Sequence, residues 1–240
     1  MKAKSLGHAS MRWLAAAAGV SAAAYGVYVV RTWARYGERP PSRPGEEDPL
    51  LDRFMPVYDV VERHRVRVAA PAGITLAAAG DMDLQGTPVV RDIIKAREVI
   101  LGATPDDRVR PRGLLAEMQS IGWGILAEIP QREIVVGAVT RPWEANVEFR
   151  ALPAEEFAAF NEPGYVKIVW TLRADPIGTT DSVFRTETRA VATDAIARTK
   201  FRRYWAFLSP GIILIRWAML GPVKREAERR ARSEGGASSG

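Results

Sequence analysis

The chain is predicted to be an α+β protein, with strands gathered in mid-chain and one long helix closing the fold. Three observations predict it. Residues 122–140 and 164–192 each read as an antiparallel hairpin, two extended runs about a turn. Strands and helices do not alternate along the chain, which argues against a doubly wound parallel sheet. An apolar stripe at helical spacing (Phe201, Tyr204 or Trp205, Leu208, Ile212, Ile215, Met219) then marks a helix lying on something apolar.

The 240 residues allow one ordinary domain plus appendages. The net charge of +6 comes from 34 basic residues dispersed among 28 acids. That excess suits contact with an anionic membrane surface, and no zinc-finger spacing or RNA-binding signature accompanies it, so no nucleic-acid partner is predicted. Cysteine is absent, which excludes disulfides, thiol catalysis and iron–sulfur ligation. The two histidines, His8 and His64, are far apart, and no calcium-type loop is present. Neither metal nor cofactor is predicted.

The elements follow in order. Trp13 to Val30 is eighteen residues without a charge, long enough to cross a hydrocarbon core at about 1.5 Å per residue. Arg12 and Arg31 bracket it, and Trp13, Tyr25, Tyr28 and Trp33 suit the interface. A cleaved signal peptide ending at Ala22-Ala23-Ala24 is the rival, but the apolar run continues through Val30. Residues 1–36 are therefore expected to be a basic segment and a single-pass transmembrane helix, with the membrane as a partner through residues 13–30. Basic residues after the span slightly outweigh those before it, which leans the C-terminal domain toward the cytoplasm.

Residues 37–57 contain five prolines and are expected as a stiff, extended linker. The folded domain is assigned to 58–232 and a flexible tail to 233–240. Within the domain, Val60–Val68 is an alternating strand. Ile74–Leu84 and Pro88–Leu101 read as helices, and Asp106–Arg112 as a charged loop. Gly122–Ile129 and Glu133–Thr140 pair about Pro130-Gln131-Arg132. Trp143–Arg150 is expected as a shorter strand and Pro153–Phe160 as a helical turn. Gly164–Ala174 and Ser182–Ala192 form the second hairpin about Asp175-Pro176-Ile177-Gly178. Asp194 then caps a helix reaching about Arg230.

That helix contains Phe207–Val223, apolar enough to raise the question of a second span. Its seven strong hydrophobes contribute about −0.3 to −0.6 kcal/mol each, and the central Arg216 costs about 2.5 to 3.5 kcal/mol. With Pro210 and the Gly221-Pro222 step added, the balance opposes insertion. Pro210 should also kink or break the helix.

A plain core helix and a pocket wall remain alternatives for this element. Its candidate pocket face is Phe201, Tyr204, Trp205, Leu208 and Ile212. In the strands, Val166, Ile168, Trp170, Leu172 and Ala174 share one face, as do Phe184, Thr186, Thr188 and Ala190. The small, mildly polar set at Thr186 and Thr188 allows either a tight contact or a void. Trp123, Trp143 and Trp170 are candidate aromatic walls. No catalytic residue is predicted. Glu128, Glu144, Glu148 and Glu187 have no partner by spacing, Arg185 to Arg189 reads as a solvated strand face, and His64 between Arg63 and Arg65 reads as exposed.

The opening strand RHRVRVAAPAGITLAAAGDMDL, the late strand FRTETRAVATD and the closing segment ARTKFRRYWAFLSPGIILIRWAMLGPVKREAE resemble the START-like superfamily, the polyketide cyclase and lipid-transport group. The last segment is similar to a set of bacterial members. The resemblance spans about Tyr58 to Arg230 and implies a helix-grip fold, a curved antiparallel sheet wrapped around the C-terminal helix with a hydrophobic cavity between them. It implies no particular reaction. The expected function is a membrane-anchored, non-catalytic module that binds or transports a lipid or other hydrophobic small molecule. A cyclase-like enzyme using Glu128 or Glu148, and a membrane-tethered interaction domain, are the alternatives.

Overall fold

The computed structural model describes residues 3–38, 46–84, 86–104 and 110–237. Pro40, Pro41 and Pro44 of the expected linker, most of the expected charged loop and the last three residues lie outside that set. The core is one antiparallel sheet in the order β1 (Val60–Val68), β6 (Asp181–Ala192), β5 (Val166–Ile177), β3 (Glu133–Thr140), β2 (Gly124–Ile129). A two-residue β4 (Phe149–Arg150) pairs with the end of β3. The expected strand at 143–150 is thus reduced to its last two residues. The second hairpin is longer than its turn signal indicates. Both strands run past Pro176, which pairs with Ser182, and the chain reverses after Gly178 at φ 65°.

Seven helices complete the described chain. They are α1 (Ala3–Arg35), α2 (Pro49–Asp52), α3 (Ala72–Gly80), α4 (Pro88–Leu101), α5 (Leu114–Ser120), α6 (Ala154–Ala159) and α7 (Ala195–Ala237). Asp194 caps α7: its Oδ1 accepts the amides of Ile196 at 2.7 Å and Ala197 at 2.9 Å. Helix α7 stays continuous through Pro210 and Pro222, contrary to the break expected at Pro210. Contacts on both sides hold it there. The Tyr25 hydroxyl donates to the Phe207 carbonyl at 2.7 Å, Tyr28 and Ser209 hydroxyls bond at 2.8 Å, and Met219, Val223 and Ala227 are buried in the core. After α5, the chain turns at Gly122, whose φ of 102° and 2.0 Å approach of the Phe149 carbonyl to any added Cβ require glycine.

The sheet is curved, and the two faces are covered differently. Helices α7 and α3 cover the inner face, enclosing Val68, Val136, Trp170, Leu172 and Phe184. Each such fully buried large side chain contributes about 1.5–3 kcal/mol. The outer face is covered by α6 and by a segment expected to be an extended tether. That expectation needs correction. Asp48 caps α2 by accepting the Leu51 amide at 2.8 Å, and Leu51, Phe54 and Met55 are buried against Val135, Val139, Phe157 and Val169. Three hydrophobes within five residues outweigh the proline content, so residues 46–57 form a strap across the sheet.

Among the described residues one helix, α7 from Ala195 to Gly235, is long and apolar enough by length and composition to cross a membrane. Its inner side packs on the sheet instead. The expected N-terminal span includes residues 14–18, whose side chains lie outside the described set.

Candidate functional site

Period-two alternation along β1 sends Val60, Glu62, His64, Val66 and Val68 to the inner face and the intervening arginines to the outer one. Register with β6 places Thr188 opposite Glu62 and Thr186 opposite His64. On the other side of β6, Trp170 stands opposite Thr188. From above, α7 lowers Arg216 until its guanidinium carbon is 5.0 Å from the Trp170 ring centroid. Trp123 closes the aromatic wall, 6.1 Å from Trp170 in an edge-on arrangement.

The groups gathered here are unpaired. His64 Nε2, Thr186 Oγ1 and Trp123 Nε1 are buried without hydrogen-bond partners, and Thr186 is only 3% exposed. The half-buried side chains of Arg216 and Glu62 form no hydrogen bond or ion pair with a described residue. Each buried polar group left without a partner costs about 1–3 kcal/mol, a cost that a bound polar group would offset. Burial pushes the Glu62 carboxyl up to about 7 and the Arg216 guanidinium down to about 10. Burial and the nearby Arg216 hold the His64 imidazole below its ordinary value, hence neutral at pH 7. One cation, a neutral imidazole, a hydroxyl and a carboxyl poised near neutrality thus surround aromatic walls. That set can hold an apolar molecule by one polar or anionic end.

The residues expected to line a pocket divide into two groups. Trp123, Trp170, Phe184, Thr186 and Thr188 lie at this site, with Phe184 and Trp170 fully buried. Phe201, Tyr204, Trp205, Trp143 and Ile212 form a separate cluster with Val60, Val166 and Ala190, nearer the start of α7. There Phe201 stacks on Tyr204 at 6.2 Å and meets Tyr36 edge-on at 6.0 Å. Leu208 is half-buried and belongs to neither group.

His64, read as exposed from its arginine neighbours, is in fact inward. The valines at 60, 66 and 68 carried the signal, since they share its parity. Glu62 follows by the same parity, and Arg216 lies four residues after Ile212 on the apolar stripe. The glutamates weighed for catalysis, Glu128, Glu144 and Glu148, are exposed.

The expected solvated face of β6 also needs correction. Glu187 and Arg189 are buried beneath the strap. Glu187 pairs with Arg63 at 2.9 Å and Arg189 at 2.6 Å, and Arg189 also binds Asp52 at 2.6 Å and the Met55 carbonyl at 2.8 Å. Next to it Asp175 bridges Arg173 at 2.8 Å and Arg185 at 2.6 Å. A polar cleft of about 140 Å³ remains over this network, lined by Asp48, Arg63, Arg173 and Glu187 and reached also by His64 and Thr186 of the site above. A second cleft of about 470 Å³ lies where α3 meets α7, beside Met82, Pro88 and Pro222. Among the described residues no cluster of three or more histidines or acids is placed to hold a metal.

No family model matches this chain and no curated protein matches it. Several solved structures are similar to it. A hypothetical protein from Helicobacter pylori matches at 7% identity and a TM-score of 0.38, covering 79% of this chain and 99% of its own. An aromatase/cyclase from Streptomyces sp. R1128 matches at 18% identity and 0.24, covering 73% and 98%. The norcoclaurine synthase of Thalictrum flavum, in complex with dopamine and hydroxybenzaldehyde, matches at 12% identity and 0.29, covering 78% and 95%.

Proposed function

We propose that the protein binds or carries a lipid or other hydrophobic small molecule between the sheet and α7, without chemical conversion, while α1 anchors it in a membrane through residues 13–30. One observation carries the ligand reading: His64 Nε2 and Thr186 Oγ1 are buried on the inner face without a hydrogen-bond partner among the described residues, and the half-buried Arg216 lies beside them over Trp170. A ligand with an apolar body and an anionic or carbonyl-bearing head supplies what they lack. Its head pairs with Arg216 and accepts from Thr186, and its body meets Trp123, Trp170 and Phe184. The aromatic cluster at Phe201, Tyr204 and Trp205 extends the apolar path along α7. Solvent extraction and mass spectrometry of the purified full chain tests the reading. A bound apolar acid in near-stoichiometric amount is expected with the wild type and not with Arg216→Met. Extracts without any apolar ligand would overturn it.

A specific observation also favours an acid–base reading. Glu62 is inward, two residues from His64, and burial brings its carboxyl to about 7, the range in which a carboxyl exchanges protons at physiological pH. A cyclase-like enzyme would use Glu62 rather than the exposed Glu128 or Glu148. Binding kept but turnover of the extracted ligand lost in Glu62→Gln would establish this second reading. Recovery of chemically unchanged ligand after long incubation would favour the first.

A further inference from the structure

We infer that α7 itself faces the bilayer, so that the domain is seated on an anionic lipid surface and does not hang from a tether. The inference rests on the anchoring of α1 proposed above. Its first support is the attachment. The strap returns to where it started, because the Gly37 amide donates to the Asp59 carbonyl at 2.9 Å and the Tyr36 hydroxyl to Asp59 at 3.2 Å. Gly37, with φ 85°, makes that turn. No slack separates α1 from the folded domain.

The second support is a length. Helix α1 lies antiparallel along α7, with Tyr25 on the Phe207 carbonyl, Tyr28 on Ser209, and the Trp33 carbonyl accepting from Arg202 at 2.7 Å. Trp13 and residues 19–24 are exposed, and the twelve residues from Trp13 to Tyr25 span about 18 Å, well short of a hydrocarbon core of about 30 Å. The whole run to Val30 can enter the bilayer only if the turns of α7 bonded to it, Phe207 to Ser209, come to the bilayer too.

The surface of α7 fits that placement. Phe207, Leu214 and Trp217 fall on one side of the helix, opposite the core residues Phe201, Met219 and Val223, and they are 47%, 50% and 68% exposed. On α1, Trp13, Val20, Val27 and Val30 are exposed as well. Antiparallel pairing brings the apolar lengths of both helices together. It also brings their basic ends together, with Arg31 and Arg35 of α1 level with Lys200 and Arg203 of α7, all exposed, and Glu38 the exposed acid beside them. A basic collar bounding an apolar, aromatic-bearing surface matches the headgroup and acyl layers of a membrane containing anionic lipid.

The absence of cysteine makes the test free of background. Single variants Val20→Cys, Phe207→Cys, Leu214→Cys and the strand-side control Glu155→Cys carry a polarity-sensitive fluorophore. The full chain is reconstituted into vesicles of phosphatidylcholine and phosphatidylglycerol containing nitroxide-labelled lipid. The expected result is that labels at 207 and 214 are quenched about as strongly as the label at 20, and the label at 155 is not. Quenching at 20 with none at 207 and 214 would overturn the inference and leave the anchor standing. A blue-shifted but unquenched label at 214 would show a second copy of the chain covering this face, and would overturn it equally. No quenching at any site would remove the anchor and, with it, this inference.

Discussion

The two faces of the sheet are both charged, and they treat their charges in opposite ways. On the outer face the strand charges beneath the strap are mostly paired: Arg63, Glu187, Arg189 and Asp52 form one chain of ion pairs, Arg173, Asp175 and Arg185 another, and Glu133 keeps one carboxyl oxygen unbonded. On the inner face His64, the Arg216 near it and the inward Glu62 have no ion-pair partner among the described residues, and the Thr186 hydroxyl lacks a hydrogen bond. Paired buried charges mostly fix geometry, whereas unpaired ones carry a standing cost that a partner from outside can remove. The difference makes the outer face the one that holds the strap, and it is what motivates the proposal of a ligand on the inner face.

The largest effect of a single substitution is expected on the outer face. Glu187→Ala leaves Arg189, 3% exposed, without one of its two carboxylate partners and Arg63 without its own, and should lower stability by about 3–5 kcal/mol in urea denaturation. On the inner face Arg216→Met removes a half-buried cation that has no ion-pair partner among the described residues, and fills its place with apolar volume. Stability should then change by at most about 1 kcal/mol or rise, while ligand retention is lost. A large loss of stability here would mean that Arg216 is structural after all.

The pH dependence sharpens the contrast. Burial, with the Asp48 carboxylate beside it, pushes the Glu133 carboxyl up to about 8 under the strap, and burial raises Glu62 to about 7. In both cases the folded state holds its proton more tightly than the unfolded chain, whose carboxyls titrate near 4.5. The associated stability is therefore complete below about pH 4.5 and is lost as pH rises through 7 to 8. Glu133→Gln should flatten that slope and raise stability at pH 8, measured by denaturation at several pH values. The smallest effect is expected at the helix staple. Tyr28→Phe removes its bond to Ser209 and should cost about 0.5–1.5 kcal/mol, seen as faster proteolysis of α1 from the domain.

Much of this architecture was legible in the sequence, because periodicity reports which side of an element is buried. The boundaries of β1, β3 and α4 follow from it, and Asp194 announces the start of α7. The strap was not legible, since its prolines signal extension and only three dimensions reveal a sheet face waiting for Leu51, Phe54 and Met55. Proline likewise misled at position 210, where neighbouring hydroxyls and the core keep the helix continuous. At the site, the aromatic and threonine walls could be read from strand parity. Glu62, His64 and Arg216 obeyed the same periods, but a charged residue among arginines or within an apolar run invites the reading that it faces water.

The central claim is that Arg216 awaits an anionic head, and a comparison of two probes tests it most directly. Dodecanoate and dodecanol share a tail and differ in charge, and their affinities for the reconstituted full chain can be measured by quenching of tryptophan emission. A charge-assisted bond to a desolvated guanidinium is worth about 1.5–3 kcal/mol, so the acid should bind about tenfold or more tighter than the alcohol, and Arg216→Met should bind the two alike. An equal preference for the acid in wild type and Arg216→Met would contradict the account.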